Sequence, residues 1–261
     1  MAEKAKEKAA SFMAERLREE LARATSIGVG TGSTVKLVLE YLLDSPSTRS
    51  LLSSKRLYAS SIDTLLFLQE RDIRASSILP LGYLDLYFDG ADEVSVQHGL
   101  CQAVKGRGAA HTREKLLAFM SARVYLVVDY TKLSRQLGEK GKPVPVEVVP
   151  PALPALLSLL RDIGVRAEAR SCNCRDGPAV TDNYGLIVDT WPWGKFEPLR
   201  YEGLLDSIPG IIGHGLFIGY TDYVVVGWDE EAKLFKCRRT RGAHEYRSRW
   251  GREARTAQSK A

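Results

Sequence analysis

Apolar residues recur every four positions at Ala5, Ala9, Met13, Leu17 and Leu21, a spacing that predicts an amphipathic helix over residues 4–23. Short apolar runs separated by helical stretches follow. Ser26-Ile-Gly-Val29 predicts a strand, glycines turn the chain, and a helix starting near Ser33–Thr34 carries Val35, Leu37, Val38, Leu42 and Leu43. Residues 56–59 predict the next strand and 62–71 a helix. Residues 84–88 and 124–128 predict two more strands, with a helix over 113–122 between them. Strands alternating with helices imply right-handed βαβ crossovers and a largely parallel, Rossmann-like sheet. Ligands of such sheets sit beyond the carboxyl ends of the strands, where both glycine-rich loops of this chain fall.

The texture changes at residues 142–151, where alternating valines and prolines predict an edge strand entering a new unit. A helix over 152–163, a strand near 165–170, a turn at 175–178 and two strands around an Asn-centred turn in 179–189 follow. A helix over 198–207 leads to a strand at 210–217. This β-α-β-β-α-β order is that of a split βαβ, ferredoxin-like unit. Residues 223–228 then predict a strand returning to the first sheet. The expected architecture is α/β: a Rossmann-like catalytic domain from residues 1–142 and 218–235, an inserted smaller α+β domain at 143–217, and a basic tail at 236–261.

The net charge of +5 modifies this picture only at the C-terminus. Residues 236–261 hold nine Lys or Arg against two Asp or Glu, which leaves residues 1–235 slightly acidic. The tail reads as a solvated, poorly ordered terminus rather than a nucleic-acid arm, because it has few apolar residues with which to dock. No apolar run approaches the roughly 18 residues of a membrane span, and the Glu-rich N-terminus lacks the apolar region of a secretory signal. A cytoplasmic protein is expected. Cys101, Cys172, Cys174 and Cys237 are not expected to make a disulfide framework in a chain of this size, and Cys172-Asn-Cys174 lacks the spacing of a zinc site.

Two loops carry candidate chemistry. Gly28-Val-Gly-Thr-Gly-Ser-Thr34 fails the dinucleotide fingerprint, since Ser33 stands where the third glycine belongs and Ala59-Ser-Ser61 where an acidic residue belongs. It is not a P-loop either. What remains is a glycine turn leading to two hydroxyls and a helix N-terminus. That arrangement either binds one phosphate or simply caps the helix. The stretch from Asp89 to Lys115 places Asp89, Asp92, Lys105 and Glu114 among turn residues directly after a strand. Singly these read as Asx turns and surface charges. Together they suit proton transfer on an anionic substrate.

The segments GVGTGST, DGADEV, KGRGAAHTREK, Val-Pro-Val-Glu-Val at 144–148 and Val180-Thr-Asp-Asn183 resemble the type A ribose-5-phosphate isomerases, in order over about residues 26–228. The resemblance implies interconversion of ribose 5-phosphate and ribulose 5-phosphate in the pentose phosphate pathway, with no metal or organic cofactor. It also implies a homodimer or homotetramer, with the inserted unit as the expected contact. Glu114 then corresponds to the catalytic base. Thr31, Gly32, Ser33 and Thr34 match the family's TGST substrate loop, and Asp89, Gly90, Ala91 and Asp92 its DGAD segment. Lys105, Gly106, Arg107 and Gly108 match its KGGG segment, and Lys132 a substrate-binding lysine. Arg107 departs from the pattern, and would be strained if its position required positive φ.

The chemistry fits these residues independently of the name. Moving a carbon-bound proton between neighbouring carbons needs one base, Glu114, working through a cis-enediolate. The developing negative charge needs a cation or N–H donors, which Lys105 and its loop supply. Asp89 and Asp92 would orient hydroxyls and assist ring opening, and Lys6 or Lys8 would reach the phosphate. His98 and His111 read as surface or structural residues. The rivals are a related sugar-phosphate isomerase or deaminase, and a sugar-phosphate-binding module without catalysis.

Overall fold

The structure is a computed structural model that describes residues 2–172, 176–243 and 245. Helix α1 (Ala2–Leu21) buries its predicted stripe. Strand β1 (Ser26–Val29) turns into α2 (Ser33–Leu43), and α3 (Pro46–Ser53) opens on a proline, whose missing N–H has no partner to lose in a first helical turn. Strand β2 (Arg56–Ala59) precedes α4 (Ile62–Gln69), which is N-capped by the Ser61 hydroxyl accepting from Thr64 N. The short β3 (Ala75–Ser76) and β4 (Leu84–Asp89) follow.

Part of the next stretch, expected as loop, is a hairpin of β5 (Glu93–Gln97) and β6 (Leu100–Val104), turned at His98-Gly99 with both residues at positive φ. Then come α5 (His111–Met120), β7 (Ser121–Asp129) and β8 (Leu133–Ser134).

Further along the chain lie β9 (Val144–Val148), α6 (Leu153–Asp162), β10 (Arg166–Ala169), β11 (Leu186–Trp191), α7 (Pro198–Ser207) and β12 (Ile211–His214). Their strands form an antiparallel sheet in the order β10-β11-β9-β12. Residues 179–189, expected as two strands, contribute only β11 and an isolated bridge between Val180 and Leu186. The strand expected at 210–217 breaks at Gly215. β12 stays in this sheet, while β13 (Leu216–Ile218) crosses to a third one ordered β13-β6-β5-β8.

Strands β14 (Tyr223–Gly227) and β15 (Ala232–Lys236) complete the large sheet, ordered β15-β14-β7-β4-β1-β2-β3. Its neighbours pair in parallel except β14 with β15, which pair antiparallel. The strand order reverses between β1 and β4, and a ligand crevice is expected beyond their carboxyl ends.

Two expectations about the C-terminal region are corrected. Cys101 and Cys237, 136 residues apart, are joined in a disulfide with a Cα–Cα distance of 5.5 Å, and Cys172 is also disulfide-bonded. The fold brings together β6 and the residue after β15, a proximity that spacing along the chain cannot reveal. The tail, expected to be solvated from residue 236, begins as built structure. Cys237 N, Arg238 N, Thr240 N and Arg241 N all donate to main-chain carbonyls. Residues 246–261 lie outside the described residues.

Candidate active site

The reversal point is narrow because Gly30, just past β1, has no side chain. A Cβ there would collide with the carboxyl group of Asp89, the last residue of β4. Asp89 is fully buried. Its Oδ1 accepts from Gly90 N (2.7 Å) and Thr31 N (3.1 Å), and its Oδ2 accepts from the Tyr87 hydroxyl. Oδ2 also lies 2.8 Å from Lys105 Nζ. Lys105 follows β6 directly, and Gly215 O holds its main-chain N at 2.9 Å. Its ammonium reaches Glu114 Oε2 at 3.0 Å and donates to Gly90 O at 2.6 Å.

One buried cation therefore stands between two buried carboxylates. Burial opposes the charge of Lys105, but Asp89 and Glu114 outweigh it and hold its pKa above the usual lysine value. Glu114 lies in the first turn of α5, where the helix dipole favours negative charge. Burial and the charge of Asp89 nevertheless dominate over Lys105, and its pKa rises to about 8. A carboxyl group poised near neutral pH can both take and return a proton.

A cleft of about 160 Å³ opens above this triad, lined by Thr31, Gly32, Ser33, Thr34, Gly90, Ala91, Asp92, Lys105, Gly106, Arg107, Gly108, Glu114 and Lys132. These are the residues singled out from the sequence, save Asp89, which lies beneath the floor. Lys6 is paired with Glu3 at 3.2 Å, and neither Lys6 nor Lys8 lines the cleft. No side chain caps the N-terminus of α2, so its first N–H groups remain available at the Ser33–Thr34 end. Lys132 comes from the turn after β7, where the Asp129 side chain accepts from Thr131 N.

The Thr31 hydroxyl turns away into a cluster with Ser60 Oγ and Ser61 Oγ (2.7 Å each), and Thr64 Oγ1 donates to Gly30 O (2.7 Å). The serines that displaced a dinucleotide acid thus brace the glycine turn. Their position at the end of β2 was the available signal.

Arg107 is not strained. The positive φ falls on Gly106 (105°) and Ala109 (58°), while Arg107 N donates to Asp92 Oδ2 at 3.0 Å. The expected histidine assignments fit this arrangement: His98 sits in the hairpin turn, and His111 is packed against Gly106. Burial, followed by nearby Lys115, keeps the His111 ring neutral.

Several residues that hold the site were missed from sequence. Arg170 Nη1 donates to the carbonyls of Gly106 and Arg107 (2.9 Å each) and its Nε to Asp189 Oδ2 (2.8 Å). Arg113, beside Glu114, donates from Nε to Asn183 Oδ1 (2.6 Å) and from Nη2 to Asp182 O (2.7 Å). Asn183 Nδ2 in turn donates to the buried Glu147. The members of this link fall in three of the segments that carry the family resemblance, KGRGAAHTREK, residues 144–148 and Val180–Asn183, but nothing local shows that they meet.

The fold and cleft belong to the class of α/β enzymes whose catalytic groups gather where the strand order of a parallel sheet reverses. The profile of the family described as ribose 5-phosphate isomerase A (phosphoriboisomerase A) matches residues 56–231. The ribose-5-phosphate isomerase A of Prochlorococcus marinus (strain MIT 9312) is 36% identical over 217 residues, spanning 83% of this chain and 90% of that protein. The ribose 5-phosphate isomerase A structure from Methanocaldococcus jannaschii superposes with a TM-score of 0.77 at 30% identity, covering 90% of this chain and 99% of that one. A D-ribose-5-phosphate isomerase solved in complex with phospho-erythronic acid gives 0.78 at 34% identity, with the same coverage. This chain belongs to the ribose 5-phosphate isomerase A family.

Proposed function

We propose that this chain interconverts ribose 5-phosphate and ribulose 5-phosphate through a cis-enediolate. The observation that carries this reading is Lys105 held between Asp89 and Glu114 at the base of a cleft that also opens onto the α2 N-terminus. The Glu114 carboxylate takes the proton from C2 and returns it to C1 on the same face. Lys105 stabilises the charge that develops on the sugar oxygens. Asp89, which does not face the cleft, keeps Lys105 charged and in place, while Asp92 and its neighbours in the cleft orient hydroxyls. Ser33, Thr34, the N–H groups of α2 and Lys132 grip the phosphate and so fix the reacting carbons against Glu114. The neighbour solved with phospho-erythronic acid, a phosphorylated sugar acid, supports a ligand of this kind.

The test is direct. The chain incubated with ribose 5-phosphate and a chelator is expected to form ketose. Binding without turnover would leave a sugar-phosphate-binding module, and activity lost on chelation would reject the metal-free mechanism. Ser33→Ala and Lys132→Ala are each expected to raise KM about tenfold or more while changing kcat less, because a hydrogen bond to a charged group contributes about 1.5–3 kcal/mol. A larger fall in kcat than rise in KM would move these residues from grip to chemistry.

The reading includes the two-part organisation, with the inserted unit at 143–217 steadying α5 through Arg113 and Asn183. It also includes a homodimer or homotetramer. Ile78 (79% exposed), Leu81 (fully exposed) and Tyr184 (83%) are large apolar groups left at the surface, and Leu79 and Leu116 line a hollow also bounded by Arg113 and Asn183. Among the described residues no helix is long and apolar enough to cross a membrane. The proposed compartment is the cytoplasm, where the buried Cys101–Cys237 bridge would be shielded from soluble thiols.

A further inference from the structure

Residues 237–241 leave β15 and run back across the far end of α5. Cys237 is bridged to Cys101 of β6 inside the core. Its N donates to Asp222 O (2.7 Å), Arg238 N donates to Gly99 O (2.6 Å), and Thr240 N and Arg241 N both donate to Gly219 O (2.9 Å each). The segment is a strap tied by main-chain hydrogen bonds and one covalent bond.

Arg239 lies at its centre, with a side chain only 4% exposed. Nη2 donates to Ala118 O (2.9 Å) and Phe119 O (3.4 Å), and Nη1 to Ser121 O (2.8 Å) and Asp222 Oδ2 (3.2 Å). Nε donates to Arg241 O (2.9 Å). Ala118 and Phe119 belong to the last turn of α5; Ala118 O also accepts from the N–H of the cap residue Ser121, and a cation there meets the negative end of the helix dipole. A buried guanidinium requires a full set of acceptors, and this one has it. Asp222 Oδ2 additionally accepts from Val124 N (2.8 Å), so the same group joins the end of α5 to β7 and the start of β14. Ala118 stands one turn, about 6 Å along the axis, from Glu114. Arg113 ties the first turn of α5 to Asn183, and Arg239 ties its last turn to the strap. The strap lies beyond residue 231, where the family match ends.

We infer that Arg239 is a positioning residue for Glu114, clamping the C-terminal end of the catalytic helix, and that the Cys101–Cys237 disulfide holds the clamp in register. The kinetic consequences rest on the isomerase reading above; the consequences for hydrogen exchange do not.

In the full chain, Arg239→Ala is expected to lower kcat for ribose 5-phosphate about tenfold or more with KM within about twofold. Misplacing a catalytic group by roughly 1 Å can cost about 10²-fold, whereas the phosphate grip on α2 is untouched. Arg239→Lys keeps the charge but cannot fork across several carbonyls, and should recover part of the loss. Deuterium uptake in peptides covering α5 should rise in Arg239→Ala and, less strongly, in the Cys101→Ser/Cys237→Ser double variant. A folded Arg239→Ala protein with parent-like kcat, or one whose KM rises in step with the loss, overturns the positioning role. If Arg239→Ala does not fold, the double-cysteine variant decides. Reduced kcat at unchanged KM supports the clamp, and parent-like kcat with parent-like uptake in α5 overturns it. A parent chain with no isomerase activity would defeat the proposed function, and uptake in α5 alone would then judge the clamp.

Discussion

Glu114→Gln is expected to lower kcat by about 10²–10⁴ while binding of a substrate analogue stays within severalfold, because the amide keeps the shape of the side chain but cannot accept the carbon-bound proton. The parent should also show kcat/KM rising with pH, with an inflection well above the ordinary carboxylate range and towards 8. In the proposed mechanism the base acts as the carboxylate, and burial together with Asp89 holds the Glu114 pKa up. Stability has the opposite sign. A carboxyl group whose folded pKa exceeds its unfolded value of about 4.3 binds its proton more tightly in the native state, so its contribution to stability falls as pH rises from there towards 8. Glu114→Gln, which cannot ionise, should therefore match or exceed the parent's Tm at pH 8 even as turnover disappears. Turnover near that of the parent would sink the assignment of the base. A kcat/KM limb centred near the usual carboxylate value would show instead that Lys105, not burial, dominates the titration of Glu114.

What the chain reveals before folding follows from the range of the interactions involved. The stripe from Ala5 to Leu21 is legible because one helix face is a local property, and its residues are buried as expected. The TGST turn and the DGAD segment are legible because each joins a strand end to glycines and polar groups in a few residues, and all but Asp89 line the cleft. The β5–β6 hairpin was hidden in plain alternation. Val94 and Val96 alternate with Ser95 and Gln97, but so short an alternation among turn-forming residues suits a loop as well as a strand.

The strap was hidden by composition. Counted as charge, Arg239 looks like part of a solvated tail, and only its neighbours reveal a guanidinium saturated by carbonyls. Contacts between distant segments, such as Arg170 with the Gly106–Arg107 backbone and Cys101 with Cys237, leave no local trace. Asp89 shows the limit of such reading: its place at the strand end is evident from sequence, but its full burial and its pairing with Lys105 are not, and they favour a role on Lys105 over one on the sugar hydroxyls.

Lys105→Met is expected to damage both stability and catalysis, and the pH dependence of the damage separates the two. With the ammonium gone, Asp89 and Glu114 remain as neighbouring buried carboxyl groups with no cation between them. Removing one partner of a buried ion pair typically costs about 3–5 kcal/mol, which for a chain of this size corresponds to a fall in Tm of roughly 6–20 °C. The folded state can limit that cost only by taking up protons, so the loss should be largest near pH 8 and shrink towards pH 5. Calorimetry across that range should show the parent and variant Tm values converging as pH falls. Lowering the pH cannot restore turnover in the same way. The proton that relieves the buried carboxyl groups also disables the base, and the developing oxyanion still lacks its cation. A single lost oxyanion donor costs about 10²–10³ in kcat, and protonation of Glu114 adds to that, so kcat/KM should fall by about 10³ or more at every pH. A variant with Tm within about 2 °C of the parent at pH 8, or with kcat/KM within tenfold, would mean that Asp89 and Glu114 do not depend on Lys105. The buried triad would then not be the centre of the reaction.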